Sequence, residues 1–210
     1  MHEQVGGDHR HAEAGGGETI LEPTDDRIAF GGTGAEGIAT IKDDGTGDLY
    51  PDNTDGSKDT SSRKDDDRAL AVNSITVNEA SPYAVFTVTG VAGQLVKLAL
   101  GNTAVGTDTD ASLGTDTGNA GTGVPLQYYN GTSWTDYTPG SFVAIPAGGT
   151  TLLVRTAITN DSTYEGPETF KLVATNTGGT PAEGTGTIKD DGTGDIYKYP
   201  PNGGPTPLPT

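Results

Sequence analysis

The fold of this chain is decided by residues 158–192, which read ITNDSTYEGPETFKLVATNTGGTPAEGTGTIKDDG. Two strand-like runs lie in this stretch, Phe170–Ala174 and Gly184–Lys189. Acidic residues come directly before the first run and directly after the second. Two antiparallel strands joined by a turn place the start of the first beside the end of the second. The stretch therefore predicts a β fold with both acidic groups at one pole.

Five carboxylates make up these two groups. Asp161, Glu165 and Glu168 come before the first run, and Asp190 and Asp191 follow the second. Carboxylates crowded together repel one another, and a hard cation bound by oxygen ligands relieves that repulsion. The sequence therefore predicts a calcium site at this pole.

The rest of residues 69–195 shows short alternating apolar runs separated by turn residues, with no helical pattern of useful length. Such spacing is typical of a β-sandwich. Trp134 is expected to contribute partly to its core. The predicted strands are Leu70–Val77, Tyr83–Thr89, Gln94–Leu100, Pro125–Tyr129, Ser133–Tyr137, Ser141–Ile145, Thr151–Thr159, the run from Phe170 and Thr185–Lys189.

The order of these strands gives a second reason to expect an acidic pole. In a sandwich whose first strand runs parallel to its last, Glu79 ends the first strand where Asp190 ends the last. Asp161 follows a strand that runs in the same direction as the last, two antiparallel steps away. Glu79, Asp161 and Asp190 should therefore share a pole, and calcium needs 6–8 oxygens, usually including several carboxylates.

The acidic pattern also carries a family resemblance. Asn160-Asp161-x-x-x-Glu165-Gly166-x-Glu168-x-Phe170, followed by Thr187-Ile188-Lys189-Asp190-Asp191, resembles the second half of a Calx-beta domain. It is still more similar to the repeats of large RTX-type bacterial adhesins exported by type I secretion. The resemblance covers roughly residues 69–195. It implies an Ig-like antiparallel β-sandwich that binds Ca²⁺ and serves as an extender repeat in cell adhesion and biofilm formation.

The resemblance also implies which residues hold the metal. The family's Val-x-Glu opening falls on Glu79, and its Asp-Tyr motif falls on Asp136. Asn160 and Gly192 stand where the family has aspartates, so weaker binding or fewer ions are expected. The implied ligands are Glu79, Asp136, Asp161, Glu165, Glu168, Asp190 and Asp191.

The long polar loop of residues 102–123 carries three further acids, Asp108, Asp110 and Asp116. Acidic groups in a loop too polar for the core are expected to remain free in solvent. An alternative is that Asp108 and Asp110 form a second cation site. Loss of Asp116 is accordingly expected to leave calcium binding unchanged.

An internal repeat indicates how the domains are organised. Gly31–Tyr50 matches Gly178–Tyr197 at sixteen of twenty positions. Repeats of this size suggest a linear array of domains. The predicted layout is a disordered head at 1–30, an orphan terminal strand of a preceding repeat at 31–50, a polar linker at 51–68, the Ig-like repeat at 69–195 and a Pro/Gly-rich linker at 196–210.

Charge and hydropathy restrict the partners. The net charge of −17 argues against nucleic acid and anionic membranes, which bind basic surfaces. No run reaches the roughly 18 apolar residues of a membrane span, so direct insertion is not expected. The first residues show no apolar core and no cleavage pattern, so a secretory signal is not expected there. The resemblance implies a monomeric unit at the bacterial cell surface, with neighbouring repeats of the same polypeptide as partners and an export signal outside this chain.

The sequence predicts no enzyme. All three histidines (His2, His9 and His11) lie in the head, there is no cysteine, and no nucleophile or phosphate-loop motif occurs. Two alternatives remain. The aromatic residues Tyr128, Tyr129, Trp134 and Tyr137 are compatible with a carbohydrate-binding module. The repeated terminal strand is compatible with a non-functional fragment of an adhesin gene.

Overall fold

The computed structural model describes residues 36–51, 55–103, 110–118 and 126–198, and the backbone of 206–208. The predicted head at 1–30 and Asp108 lie outside these residues. The chain divides into two compact units, Met1–Ala39 and Thr40–Thr210, and every strand belongs to the second. In the part of the chain that is described, no helix is long and apolar enough to cross a membrane.

The described residues form twelve strands, numbered here in chain order. They are β1 Ala71–Val72, β2 Ile75–Asn78, β3 Tyr83–Thr89, β4 Leu95–Asn102, β5 Gln127–Tyr129, β6 Trp134–Asp136, β7 Val143–Ala144, β8 Thr151–Ala157, β9 Glu168–Thr175, β10 Pro181–Lys189, β11 Ile196–Lys198 and β12 Thr206–Leu208.

Two five-stranded sheets make a sandwich, which confirms the predicted all-β Ig-like architecture. One sheet has the order β1-β3-β8-β5-β6 and the other β2-β10-β9-β4-β7. All strand pairs in the two sheets are antiparallel except β2 with β10, where Lys189 lies opposite Asn78. Because β2 and β10 run in the same direction, both end at the same pole of the sandwich.

The first predicted strand, Leu70–Val77, is divided between the two sheets. β1 pairs with β3 in one sheet and β2 pairs with β10 in the other. Asn73 stands at the division, where its side-chain oxygen accepts a hydrogen bond from the Thr87 amide at 2.6 Å. The Ser74 hydroxyl accepts one from the Thr185 amide at 3.1 Å. Two polar residues thus satisfy backbone donors of both sheets at the crossing point.

The core lies between the sheets and is centred on two phenylalanines. The side chains of Phe86 on β3 and Phe170 on β9 are fully buried. Their ring centroids are 5.7 Å apart and the planes are nearly perpendicular, an arrangement favoured by aromatic quadrupoles. Gly186 on β10 faces both rings, since a Cβ at this position would lie 2.7 Å from Phe170 and 2.9 Å from Phe86. A side chain larger than hydrogen does not fit there.

The aromatic residues considered for carbohydrate binding take part in strand packing. Trp134 is half-buried, with the Arg155 guanidinium 4.2 Å from its ring centroid and Tyr129 at 5.6 Å. Tyr137 is buried, and its hydroxyl donates to the Ser141 carbonyl at 2.7 Å. These contacts connect neighbouring strands and loops.

The end of the segment predicted as a polar linker packs on the sandwich. Asp66 is buried and accepts hydrogen bonds from the Arg68 guanidinium, with Nε at 2.8 Å. The Asp66 amide donates to the Thr177 hydroxyl at 2.6 Å, and Gln94 Nε2 donates to the Arg68 carbonyl at 2.6 Å. Part of a charged run in the sequence thus forms a neutralised pair beside residues that adjoin β9 and β4. At the other end of the domain, Tyr197 is buried within the segment predicted as C-terminal linker.

We expect Asp66→Ala to lower the free energy of unfolding by about 1–3 kcal/mol, because it removes the charged acceptor of Arg68 and leaves a buried gap. Urea titration followed by tryptophan fluorescence measures this, since Trp134 is the single tryptophan. The matched control is Asp55→Ala, whose side chain is exposed, with an expected change within about 0.5 kcal/mol. Equal stability of the two variants would mean that residues 65–68 behave as a free linker.

Candidate metal centre

A small acidic cavity lies at the pole where β2 and β10 end. Its volume is about 40 Å³. None of the described residues that line it is Lys, Arg or His. The lining residues are Glu79, Thr115, Asp116, Thr159, Asp161, Glu165, Gly166, Glu168, Ile188 and Asp190. The cavity thus contains five of the seven predicted ligands and one acid that was expected elsewhere.

The parallel pair places Glu79 beside Asp190. Glu79 follows β2 and Asp190 follows β10, and the Glu79 amide donates to the Lys189 carbonyl at 2.9 Å. This hydrogen bond continues the β2–β10 ladder one residue past its end. The side chain of Glu79 is buried, so its carboxylate is held inside the pole.

The second sheet supplies Asp161. Its amide donates to Glu79 Oε1 at 3.0 Å. The preceding strand, β8, belongs to the sheet opposite β10. Asp161 arrives at the same pole through the loop that connects β8 with β9. A cation bound there would join the two sheets.

Glu165 and Glu168 come from that same loop and from the start of β9. Glu168 is the first residue of β9 and lies opposite Ile188 of β10. One carboxylate oxygen each of Asp116, Glu165 and Glu168 lie within 4.8 Å of one another. That spacing is compatible with oxygens around one ion.

The expectation that Asp116 stands free in solvent is wrong. The Thr159 amide donates to the Asp116 carbonyl at 2.9 Å, and Thr117 forms a bridge with Ile158. The Ser112 amide donates to Asp116 Oδ2 at 2.6 Å. These bonds fold residues 110–118 over the end of β8 and bring the carboxylate to the cavity. Nothing in the spacing of this loop signals that contact.

Two predicted ligands lie away from the cavity. Asp136 is exposed on β6, at the edge of its sheet, and its Oδ1 accepts a hydrogen bond from Gln127 Nε2 at 2.6 Å. Asp191 is exposed, accepts from the Thr193 amide at 2.9 Å and lies 3.7 Å from the Lys189 ammonium. Neither residue lines the cavity. Of the other loop acids, Asp110 accepts a hydrogen bond from the Thr103 amide at 3.0 Å.

The cavity concentrates negative charge that its own residues do not neutralise. Burial raises the pKa of Glu168 to about 7, and the nearby carboxylates of Asp116 and Glu165 add to the effect. Burial also raises the pKa of Glu79, where Asp190 contributes in the same direction. Both shifts come from desolvation and repulsion between carboxylates. A divalent cation would relieve both, since opposite charge stabilises the ionised form.

No protein-family model matches the chain, and no curated protein matches it. Among solved structures, the calcium binding domain CBD12 of CALX1.1 is similar, with a TM-score of 0.39 and 19% identity. The match covers 59% of this chain and 44% of that one. The apo form of the Calx CBD1 domain has a TM-score of 0.35 and 18% identity, covering 58% and 97% of the two chains. The E. coli chaperone DraB has a TM-score of 0.37 and 8% identity, covering 61% and 58%.

The raised pKa values predict how the metal-free protein responds to pH. Because the pKa of Glu168 is raised from 4.5 to about 7 on folding, the folded state binds protons more tightly than the unfolded state. Its contribution to stability is full below about pH 4.5 and is lost as the pH rises through about 7. We therefore expect the melting temperature of metal-free protein to fall between pH 5 and pH 8.

The pH prediction is tested by thermal melts of the dialysed protein at both pH values. In Glu168→Gln the decrease should be smaller, because the amide does not ionise. Saturating calcium should also remove the decrease, because it stabilises the ionised carboxylates. A metal-free protein that melts at a higher temperature at pH 8 than at pH 5 would contradict the prediction.

A second acidic cluster lies in the segments before the sandwich. Carboxylate oxygens of Asp43, Asp65 and Asp67 lie within 4.8 Å of one another, and all three side chains are exposed. Desolvation first, and then the neighbouring acids, raise the pKa of Asp67. The side chains of this second cluster are exposed, whereas Glu79 in the acidic cavity is buried.

Proposed function

We propose that this protein is a calcium-stabilised structural domain. The observation that supports the proposal most directly is the acidic cavity, where six carboxylates converge and no basic side chain is present. Its volume of about 40 Å³ suits an ion with a few waters, whereas organic ligands occupy pockets of about 300–1,000 Å³. The residues that would hold Ca²⁺ are Glu79, Asp116, Asp161, Glu165, Glu168 and Asp190.

The donor set favours calcium among the common divalent cations. Calcium accepts 6–8 oxygen ligands at 2.3–2.6 Å in flexible geometry, whereas magnesium requires a smaller, near-ideal octahedron and retains its waters. The cavity offers carboxylates from loops of different length, a set better suited to variable coordination. The absence of Cys and His from the lining also makes it a poor site for softer metals. The bound ion would contribute charge neutralisation and cross-linking.

Calcium would act on the sandwich as a clamp. The proposed ligands follow β2, β8 and β10, begin β9 and lie on the loop of residues 110–118. One ion would therefore connect both sheets and this loop at one pole. Without the ion, repulsion between the carboxylates opposes that closure. The domain would accordingly be stiffer with calcium than without it.

We further propose that the domain is an extender repeat of a large bacterial surface adhesin and has no catalytic activity of its own. The resemblance of its acidic motif to such repeats and the internal repeat of Gly31–Tyr50 support this role. Its partners would be neighbouring repeats of the same polypeptide. An extracellular location suits it, since extracellular calcium modules commonly bind with dissociation constants of about 0.1–1 mM.

Thermal melts with calcium and with chelator test the proposed function. A ligand that binds only the folded state stabilises it by about 2.7 kcal/mol at one hundred times its dissociation constant. We expect calcium to raise the melting temperature by several degrees, and magnesium to do so less. Asp161→Asn and Asp116→Asn should each remove most of the calcium-dependent shift.

The matched control is Asp136→Asn, which changes an acid outside the cavity and should retain the full shift. Isothermal titration calorimetry of the unchanged chain should show calcium uptake at millimolar concentration. No uptake together with identical melts in calcium and chelator would show that the carboxylates are only solvated charges. A loss of the shift in Asp136→Asn alone would move the site to β6.

A further inference from the structure

Residues 36–50, called here the repeat segment, duplicate the strand that closes the sandwich. The corresponding residues are 183–197, which comprise most of β10 and the chain up to β11. Ile188 and Tyr197 are buried at 5% and 9% exposure, but their counterparts Ile41 and Tyr50 are 87% and 62% exposed. The same apolar side chains are thus buried in one copy and exposed to solvent in the other.

The backbone of the repeat segment is also unpaired over its first half. Among described residues 36–43, none forms a strand or a bridge. In the second copy, the corresponding residues lie between two strands, with β2 parallel on one side and β9 antiparallel on the other. An extended segment with free backbone groups and alternating apolar residues is suited to add to a sheet. The first half of the repeat segment therefore has the features of a last strand without a sheet, whereas Asp44 and Leu49 in its second half form bridges with Asp66 and Asp59.

One substitution disfavours the repeat segment at the position of β10 in this sandwich. Ala39 occupies the position of Gly186. A Cβ at Gly186 would lie 2.7 Å from Phe170 and 2.9 Å from Phe86, and both rings are fully buried. Ala39 would overpack this core, which destabilises a sandwich. The same clash applies to a second copy of this chain.

The sequence just before the repeat segment does not repeat that of β9 either. At the offset that relates the two copies, none of residues 21–28 is identical to its counterpart in β9, Glu168–Thr175. The match begins at Gly31. The strand that precedes β10 in the folded domain is therefore not duplicated next to the repeat segment.

We propose that the repeat segment is a donor strand that completes the sandwich of a separate polypeptide. That partner has the fold described here, lacks its own last strand, and carries a side chain smaller than phenylalanine at the position of Phe170. Ile41 and Tyr50 fill the places that Ile188 and Tyr197 fill in this chain. Ala39 sets the specificity, because it admits the partner and excludes copies of this chain.

An acceptor made from the full chain tests the proposal. It carries Gly184→Val, which blocks its own β10 because a Cβ there would lie 2.1 Å from the Asn73 carbonyl oxygen. It also carries Phe170→Leu, which makes room for Ala39, and Ile41→Asp, which disables its own repeat segment. The donor is the unchanged chain. After refolding the two together from urea, we expect a 1:1 complex in analytical ultracentrifugation.

Matched variants separate strand donation from other association. A donor with Ile41→Asp should not bind. An acceptor that retains Phe170 should bind the unchanged donor at least tenfold more weakly, and Ala39→Gly in the donor should restore binding to it. A synthetic peptide of residues 181–197 should complete either acceptor. If the peptide binds and the unchanged donor does not, the proposal is overturned.

Two further results bear on the specificity. In the intact chain, Gly186→Ala should lower the melting temperature by several degrees. The repeat segment also has Ile38 at the position of Thr185, and Thr185→Ile should change the melting temperature little. A neutral Gly186→Ala would refute the role of Ala39. Dimerisation of the unchanged chain that Ile41→Asp abolishes would also overturn the proposal, because the partner would then be a second copy.

Discussion

Gly184→Ala is expected to lower the free energy of unfolding by at least about 3 kcal/mol, although it adds a single methyl group. Gly184 lies in β10, opposite Leu172 of β9. A Cβ there would be 2.1 Å from the Asn73 carbonyl oxygen and 2.6 Å from a methyl of Val72. The closest contact is backbone, so no rotamer change relieves it. The variant must separate β10 from the crossing between β1 and β2.

Chemical unfolding of the metal-free protein measures this effect, and a thermal melt should show a decrease of roughly 10 °C or more. Gly148→Ala is the matched control, because a Cβ at Gly148 meets nothing within 4 Å and its backbone does not require glycine. That variant should melt within about 2 °C of the unchanged protein. Similar melting of the two alanine variants would mean that β10 does not approach Asn73 as closely as the structure shows.

Phe170→Ala should lower the free energy of unfolding by about 3–5 kcal/mol, the range observed for fully buried aromatic residues. The ring lies between the two sheets and meets Phe86 edge-on. Its removal leaves a cavity that the strand backbones do not close, because both sheets are held by their hydrogen-bond ladders. The start of β9 carries Glu168, two residues away, so calcium affinity should fall as well.

Urea unfolding again gives the energy, with Tyr50→Ala as the control for loss of an exposed aromatic ring. That control should change stability by less than about 0.5 kcal/mol. The double variant Phe86→Ala/Phe170→Ala should lose less than the sum of the single variants, because each single change already removes the ring contact. Full additivity would show that the two rings do not interact.

The position of the acidic cavity links stability to the proposed function. Strands from both sheets end at this pole, and the apolar core begins directly beneath it with Ile188. An ion there would restrain the chain where the hydrogen-bond ladders stop. Stiffness of this kind suits a domain whose role is to transmit force or hold distance. It requires no pocket for an organic ligand.

Local patterns in the sequence were sufficient to predict most of the sandwich. The alternation of apolar and polar side chains predicted β3, β4, β8 and β9, because successive residues of a strand point to opposite faces of the sheet. Antiparallel neighbours joined by a turn predicted that Glu168 and Asp190 would meet. A parallel first and last strand predicted that Glu79 would join them. The first two inferences depend on spacing along one or two strands, which is visible in the sequence, whereas the third also assumed the strand order of a sandwich.

Only the tertiary structure determined the contacts that depend on how loops run between distant strands. Asp116 reaches the cavity because residues 110–118 bond to the end of β8. Asp136 is held at a sheet edge by Gln127, and Asp191 turns toward Lys189. Asp66 is buried and is neutralised by Arg68, two residues away. Charged residues show no periodicity in the sequence that identifies their partners. The position of a charged side chain therefore follows only from how the chain packs in three dimensions.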